Sequence, residues 1–257
     1  MSVPGCFYHK TLQMPTVEVC FSPALFPFIP ASEKVITVVI DILRATTSFC
    51  TAFDYGVKKI IPLDSLEKAL EYKNQGQLVA AERDGLKPDF ADFSNSAFDY
   101  MNNTVFGKTI YYTTTNGTEA INLAQSRGEV AIASFLNSPV MVKWLTGQQK
   151  DIILLCSGWK NNYCIEDTLC AGLIAKGLLE NDAFRPSGDS TLSAILLWES
   201  CNNNPEPLIK KSSHYRRLEK LGYENVLEYS LQTGRSSAIP VLEGDALINL
   251  ALQTNNK

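Results

Sequence analysis

Val35-Ile36-Thr37-Val38-Val39-Ile40 runs without interruption into Asp41-Ile42-Leu43-Arg44-Ala45-Thr46-Thr47-Ser48. The first six residues are all β-branched, the pattern of a strand buried on both faces beneath covering helices. The strand ends at a carboxylate. The Thr-Thr-Ser segment then opens a helix running to about Tyr55, with Gly56 as its C-cap. A continuous apolar strand that turns through polar residues into a helix is the repeating unit of an α/β protein.

The unit recurs on both sides of this stretch. Val17–Phe21 reads as a strand before it. Lys59–Leu63, Leu78–Ala81, Thr109–Thr113, Val130–Ala133 and Asp151–Cys156 read as strands after it. Helices are expected from Asp64 or Ser65 to about Asn74, after Thr118, near Val140–Leu145, from Ile165 to Leu179, and around Ser190–Cys201 and His214–Leu221. Ile239–Leu242 is a last strand-like run. The expected fold is α/β, with a largely parallel sheet covered by helices on both faces. The length allows one large domain or two small ones, and Asn202-Asn203-Asn204 with the prolines at 205 and 207 marks a loop and the edge of a smaller C-terminal part.

Composition narrows the function. The 257 residues are 45% hydrophobic and 19% charged, with formal net charge -4, an ordinary balance for a globular protein. No long basic run offers a nucleic-acid footprint. No apolar run reaches membrane-spanning length, and Pro23 and Pro27 break the stretch from Phe21 to Ile29. Seven scattered cysteines without a CxxC pair, and no secretory signal, suit reduced thiols and a cytoplasmic location. A homodimer is the default assembly.

Ligands of open α/β sheets bind beyond the carboxyl ends of the strands, and four polar clusters sit there. Asp41 can hold a metal or accept a proton. Arg44 offers a planar fork of donors, and Thr46 and Thr47 stand at a helix start that favours an anion. An N-capped helix with a solvated arginine is the plainer reading, but the four residues together favour a site. Thr114-Thr115-Asn116-Gly117-Thr118 brings hydroxyls, an amide and a close backbone approach, although a plain strand-to-helix turn satisfies it as well. Glu82-Arg83-Asp84-Gly85 taken alone reads as a surface turn; Glu82 is nonetheless a candidate ligand or base. Cys156-Ser157-Gly158 leads to Glu166-Asp167, which also suits a helix N-terminus electrostatically. Cys156 itself reads as a structural thiol rather than a nucleophile.

Other chemistries are not supported. His9 and His214 are the only histidines and form no HxxxH or HxH pair, which excludes a histidine-rich zinc site. There is no GxSxG elbow, P-loop or GxGxxG fingerprint. The clusters are rich in oxygen donors, which suits Mg²⁺.

Four segments in this order, Asp41-Ile-Leu-Arg-Ala-Thr-Thr, Glu82-Arg-Asp-Gly, Thr114-Thr-Asn-Gly-Thr and Glu166-Asp-Thr-Leu-Cys-Ala-Gly, resemble the 2-phosphosulfolactate phosphatase family. The likeness continues through Asp92-Phe-Ser-Asn-Ser, Asn137, Gly188-Asp-Ser, Ser213-His214 and Ile239-Pro240. It implies a single three-layer α/β/α domain over residues 1–257, built on a largely parallel or mixed sheet, and Mg²⁺-dependent hydrolysis of 2-phospho-3-sulfolactate to sulfolactate and phosphate, a step towards coenzyme M. Ser94, Ala97, Tyr215, Gly234 and Ser237 depart from the pattern, which bears on the substrate acid more than on the reaction.

The expected site follows. Asp41, Glu82, Glu166 and Asp167 are candidate metal ligands, and Asp41, Arg44 and Glu82 candidate catalytic residues. Thr46, Thr47, Thr115, Asn116, Gly117, Thr118, Ser157 and Gly158 line the small anionic substrate, and Arg83 pairs with its carboxylate or sulfonate. Position 43 is Leu, so the DxD signature of aspartyl-phosphate enzymes is absent and direct attack by water is favoured over a covalent intermediate on Asp41. A non-catalytic anion sensor and a phosphatase for phospholactate or phosphoglycerate are the alternatives.

Overall fold

The computed structural model describes residues 14–30, 34–180 and 182–253; Cys6 and His9 lie outside them. In chain order the elements begin with β1 (Thr16–Cys20), β2 (Val35–Ile40), α1 (Ala45–Asp54), β3 (Lys59–Pro62), α2 (Leu66–Asn74), β4 (Leu78–Ala81) and β5 (Thr109–Thr113). They continue with α3 (Gly117–Gln125), β6 (Glu129–Ala133), α4 (Ser138–Thr146), β7 (Asp151–Cys156), α5 (Ile165–Leu179), β8 (Arg185–Pro186) and α6 (Asp189–Ser200). Three short helices follow, α7 (Glu206–Ile209), α8 (Ser213–Glu219) and α9 (Glu224–Ser230), then β9 (Pro240–Glu243), β10 (Ala246–Asn249) and α10 (Leu250–Gln253). The strands read from the sequence are present, each within a residue of its expected ends. β8, β10, α7, α9 and α10 were not expected.

The apolar run that decides the fold divides its side chains between two cores. Ile36, Val38 and Ile40 enter one cluster with Leu169, Ile174 and Leu178 of α5 and with Met141 of α4. Val35 and Val39 enter the other, with Phe49 and Phe53 of α1 and Ile121 of α3. Alternation along an extended chain sends neighbours to opposite faces, so a strand covered on both sides needs no polar residue. β7 does the same, with Ile152 and Leu154 on the α5 side and Ile153 and Leu155 on the α1 side.

The ten-stranded sheet is mixed, in the order β4-β5-β3-β10-β9-β6-β2-β7-β1-β8. β6, β2, β7, β1 and β8 form one parallel block, and β3, β5 and β4 a second. The hairpin β9–β10 joins them through antiparallel pairs on both sides. The two blocks therefore run in opposed senses, which the strand-by-strand reading of the sequence did not contain. Ile60 of β3, Ile110 and Tyr112 of β5 and Ala80 of β4 nevertheless share the cluster that holds Val39, α1 and α3. The blocks thus face a common core filled by α1 and α3.

Only a strongly twisted sheet permits this. Strands lie about 4.8 Å apart, so the five steps from β2 to β5 would span roughly 24 Å if flat. At roughly 20–25° of twist per step, five steps accumulate roughly 100–125°. That turns two opposed strands to a crossing of roughly 55–80°, and their carboxyl ends can meet.

On the other face of the large block, α5 packs against α6. Small residues let α5 approach its neighbours closely. Cys170 and Ala171 lie in the core cluster, but Gly172 serves the helix pair, since a Cβ there would lie 2.1 Å from the Ala194 carbonyl oxygen and 3.1 Å from the Trp198 Cβ. α7, α8 and α9 add Ile209, Tyr215, Leu218, Val226 and Leu227 to the same cluster.

Gly172→Ala tests that contact. Overpacking should cost about 1–3 kcal/mol. The urea midpoint should fall with an unchanged m-value; a midpoint equal to that of the parent would show that α5 and α6 are not in contact.

Candidate active site

Four turns meet where the strand ends converge. The turn after β2 is folded by its own side chains. Thr46 donates its amide to the Asp41 carbonyl at 2.9 Å, and the Ala45 amide donates to Asp41 Oδ1 at 3.2 Å. The turn after β5 closes reciprocally: the Thr114 amide donates to the Thr118 hydroxyl at 3.1 Å and the Thr118 amide to the Thr114 hydroxyl at 3.2 Å. Gly117 brings the two turns together. A Cβ there would sit 2.6 Å from the Ala45 Cβ and 2.9 Å from Asp41 Oδ2. Arg44 reaches across to the turn after β4, where Nη2 donates to the Gly85 carbonyl at 2.9 Å. The turn after β7 closes the ring, with the Lys160 amide donating to Asn116 Oδ1 at 2.9 Å.

These turns enclose a cavity of about 10 Å³ lined by Asp41, Arg44, Glu82, Asn116, Trp159, His214 and Arg217, among others. Two arginines dominate its walls. The Arg44 guanidinium lies 4.1 Å from the Tyr223 ring centre, and that of Arg217 lies 3.5 Å from the Trp159 ring centre. Stacking fixes both planes without using their N–H donors. Arg44 Nη1 and Arg217 Nε are buried and have no hydrogen-bond partner among the described residues. Unpaired buried donors are rare and call for a reason.

The carboxylates are buried as well. Burial pushes Asp41 up to about 6, with Glu82 and Glu166 adding to the rise and His214 and the Ala45 amide opposing it. Burial and the nearby Glu166 and Asp41 charges raise Asp167 well above the usual range. Asp167 is a brace. Oδ1 accepts from the Ile42 amide at 2.8 Å and Oδ2 from the Gly158 amide at 3.0 Å, tying the β2 and β7 turns to α5. Burial also works to raise Glu166, but the 2.5 Å hydrogen bond that its Oε1 accepts from His214 Nδ1 and the imidazole charge hold it below its ordinary value. Glu82 accepts from the Gly85 amide at 2.5 Å and from the Thr115 amide and hydroxyl at 3.2 and 3.0 Å.

The structure sorts the residues expected from sequence. Asp41, Arg44, Glu82 and Asn116 share the cavity, with Gly117 against Asp41. Thr46 and Thr47, expected to donate to a bound anion, spend their hydroxyls on the Asp41 and Ile42 carbonyls, both at 2.9 Å. Arg83, expected beside the substrate, lines a separate cavity of about 280 Å³ with Thr115, Thr118, Asp64 and Glu119. Its guanidinium donates to the Glu82 carbonyl and the Thr113 hydroxyl. Glu166 and Asp167 stand behind the cavity. The Ser157 hydroxyl is buried without a partner among the described residues, and Gly158 takes φ +61° with a Cβ position 2.1 Å from the Asn162 carbonyl oxygen. Asp41, Glu82, Glu166 and Asp167 do not bring three ligand atoms within 4.8 Å of one another.

Sequence reading missed His214, Arg217, Trp159 and Tyr223. His214 and Arg217 were visible as a pair, three residues apart on one short helix and so on one face.

The profile of a family described as 2-phosphosulpholactate phosphatase matches residues 20–245. The chain belongs to that family. A Thermotoga maritima protein named "Probable 2-phosphosulfolactate phosphatase" is 39% identical over 211 residues, covering 82% of this chain and 90% of the relative. One from Clostridium perfringens with the same name is 39% identical over 200 residues, covering 76% and 80%. A third, from Clostridium botulinum, is 31% identical over 222 residues, covering 85% and 92%. No helix among the described residues is long and apolar enough to cross a membrane.

The raised Asp41 carboxyl has a consequence for stability. Its folded pKa of about 6 exceeds the ordinary 3.8, so the folded state holds the proton more tightly. The cost is absent below pH 3.8, where both states are protonated, and fully developed above about 6. Asp41→Asn should stabilise the fold at pH 7 by about 2–3 kcal/mol. That gain should vanish as pH falls through the same window. Urea unfolding at a series of pH values measures it; a gain independent of pH would rule out the buried carboxylate as its source.

Proposed function

We propose that the chain is a Mg²⁺-dependent phosphatase that hydrolyses 2-phospho-3-sulfolactate, or a closely related phosphorylated 2-hydroxy acid, to the hydroxy acid and phosphate. One observation carries this reading. Arg44 Nη1, a charged donor with no partner among the described residues, is buried in the same cavity as Asp41. Such a donor is stabilised by an anion, and a planar guanidinium fits phosphate oxygens.

On this reading Asp41 would hold Mg²⁺. Its Oδ1 is engaged with Ala45, which leaves Oδ2 to a ligand. Mg²⁺ is commonly held by one or two carboxylates, with waters and substrate phosphate completing the shell, so the spread of the other acids suits it. When bound, the ion supplies charge stabilisation at a phosphoryl oxygen. Arg44 and Asn116 orient the phosphoryl group for attack by water. Arg217, across the cavity, holds the second anionic group of the substrate. His214, fixed through Nδ1 by Glu166, gives a proton to the leaving oxygen.

A cavity of about 10 Å³ holds little more than one water. Substrate entry therefore displaces part of its wall, to which α8 contributes His214, Arg217 and Leu218. The Arg217 Nη1 bond to the Asp84 carbonyl, at 3.2 Å, is one of the contacts to be released.

Phosphate release from 2-phospho-3-sulfolactate, 2-phospholactate and a phosphoglycerate, with and without Mg²⁺, tests the reading. Release that depends on Mg²⁺ is expected from at least one of them. Arg44→Ala should lower kcat by roughly 10²–10³, the scale of one lost oxyanion donor. Arg217→Met should raise KM most for the substrate carrying the sulfonate. Binding without release would support an anion sensor instead, and unchanged turnover in Arg44→Ala would remove Arg44 from the mechanism.

A further inference from the structure

Behind the cavity, Cys164, Glu166 and His214 place one ligand atom each within 4.8 Å of one another, and all three are buried. The Cys164 Sγ lies 3.6 Å from His214 Nδ1, and Nδ1 lies 2.5 Å from Glu166 Oε1. Glu166 is 0% exposed, and its second oxygen, Oε2, has no partner among the described residues. An acceptor buried beside a thiol and an imidazole lacks the donor or cation that such burial requires.

We propose that Cys164, Glu166 and His214 bind a soft divalent transition ion of the Zn²⁺ class, at a site distinct from the Mg²⁺ position at Asp41. Tetrahedral zinc distances put ligand atoms roughly 3.4–3.6 Å apart. The sulfur–nitrogen pair already has that spacing. The imidazole–carboxylate pair opens by roughly 1 Å to match, through rotation of Glu166 or use of the unpartnered Oε2. A thiolate and a carboxylate neutralise the dication, with the imidazole neutral, so a buried site closes without net charge. Sulfur and imidazole donors select zinc-like ions over Mg²⁺.

Access and a fourth ligand are available. Cys164, Glu166 and His214 line a second cavity of about 220 Å³ with Tyr163, Ser212 and Ser213, large enough for the ion and a water. His214 lines the active cavity as well. An ion on Nδ1 would replace the hydrogen bond to Glu166 as the contact that fixes the ring, and would leave Nε2 as the nitrogen that can serve the reaction.

Cobalt substitution tests the proposal without using turnover. The metal-stripped full chain is titrated with Co²⁺ in excess Mg²⁺. One equivalent should bind, with thiolate-to-cobalt charge-transfer absorption in the near ultraviolet and the visible bands of four-coordinate cobalt; Zn²⁺ should displace it. Cys164→Ser, nearly isosteric, should abolish the charge-transfer band and weaken binding by about tenfold or more. A variant carrying both Cys6→Ala and His9→Ala should keep the spectrum. An absent band in the parent chain, or one that survives Cys164→Ser, overturns the proposal. Circular dichroism of Cys164→Ser confirms its fold, and Cys164→Ala repeats the spectrum if serine disturbs it. Phosphatase activity is not a readout, so this test and that of the catalytic reading fail independently.

Discussion

Between the turn after β2 and the first residue of α3 there is no space for a side chain. The Gly117 backbone lies against the Ala45 methyl and Asp41 Oδ2, and a Cβ at that position would overlap both. This contact joins the large parallel block to the small one at their carboxyl ends. It exists because the central hairpin reverses the sense of the small block and the sheet twist brings it partly back. The Asp167 brace holds the β2 turn to α5, and the Lys160–Asn116 bond holds the β7 loop to the β5 turn. Without the approach at Gly117, Arg44 and Asn116 would belong to separate rims.

The same region concentrates the groups that a stable fold would leave out. Asp41, Arg44, Glu82, Glu166, Asp167 and His214 are all buried. Burying charge is costly unless each group is paired and fully hydrogen-bonded. Asp167 and Glu82 meet that condition through backbone amides, and Glu166 half meets it through His214. Asp41, Arg44 and Arg217 do not. The unmet groups all lie on the cavity wall; of the satisfied acids, Glu82 shares that wall and Asp167 stands behind it. The unmet groups are the ones that would hold a ligand.

The decisive strand and its terminal Asp41 were legible because a six-residue β-branched run has few other readings. Arg83 misled. It follows Glu82 in an extended segment, where successive side chains point to opposite sides, so a glutamate in the cavity sends its neighbour away from it. The hairpin was also present as a signal: Gly244-Asp245 is a two-residue turn between Val241-Leu242 and Ala246-Leu247, and Gly244 takes φ +63° as such a turn requires. What no local pattern contained was the place of that hairpin in the middle of the sheet, since pairing between distant strands leaves no trace in either strand. Tyr223 and Trp159 escaped for the same reason. They matter through the arginines stacked on them, which come from α1's approach and from α8.

Charge in the active cavity bears on the proposed cofactor. Arg44 and Arg217 balance Asp41 and Glu82 on its walls, while Glu166 is matched by His214 behind them. A phosphate dianion that also carries a carboxylate or sulfonate would enter an almost neutral box and leave it strongly negative. It would also raise Asp41 further, above a value already pushed up to about 6 by burial and neighbouring acids, until the group that should bind a cation was a neutral acid. A divalent ion reverses both effects at once: it offsets the substrate charge and restores Asp41 as an anion, because a bound dication is the largest local charge and inverts the pKa logic around it. On the proposed reading, a metal would arrive with the phosphate rather than be held permanently by a cage of acids, since Asp41, Glu82, Glu166 and Asp167 do not converge on one point.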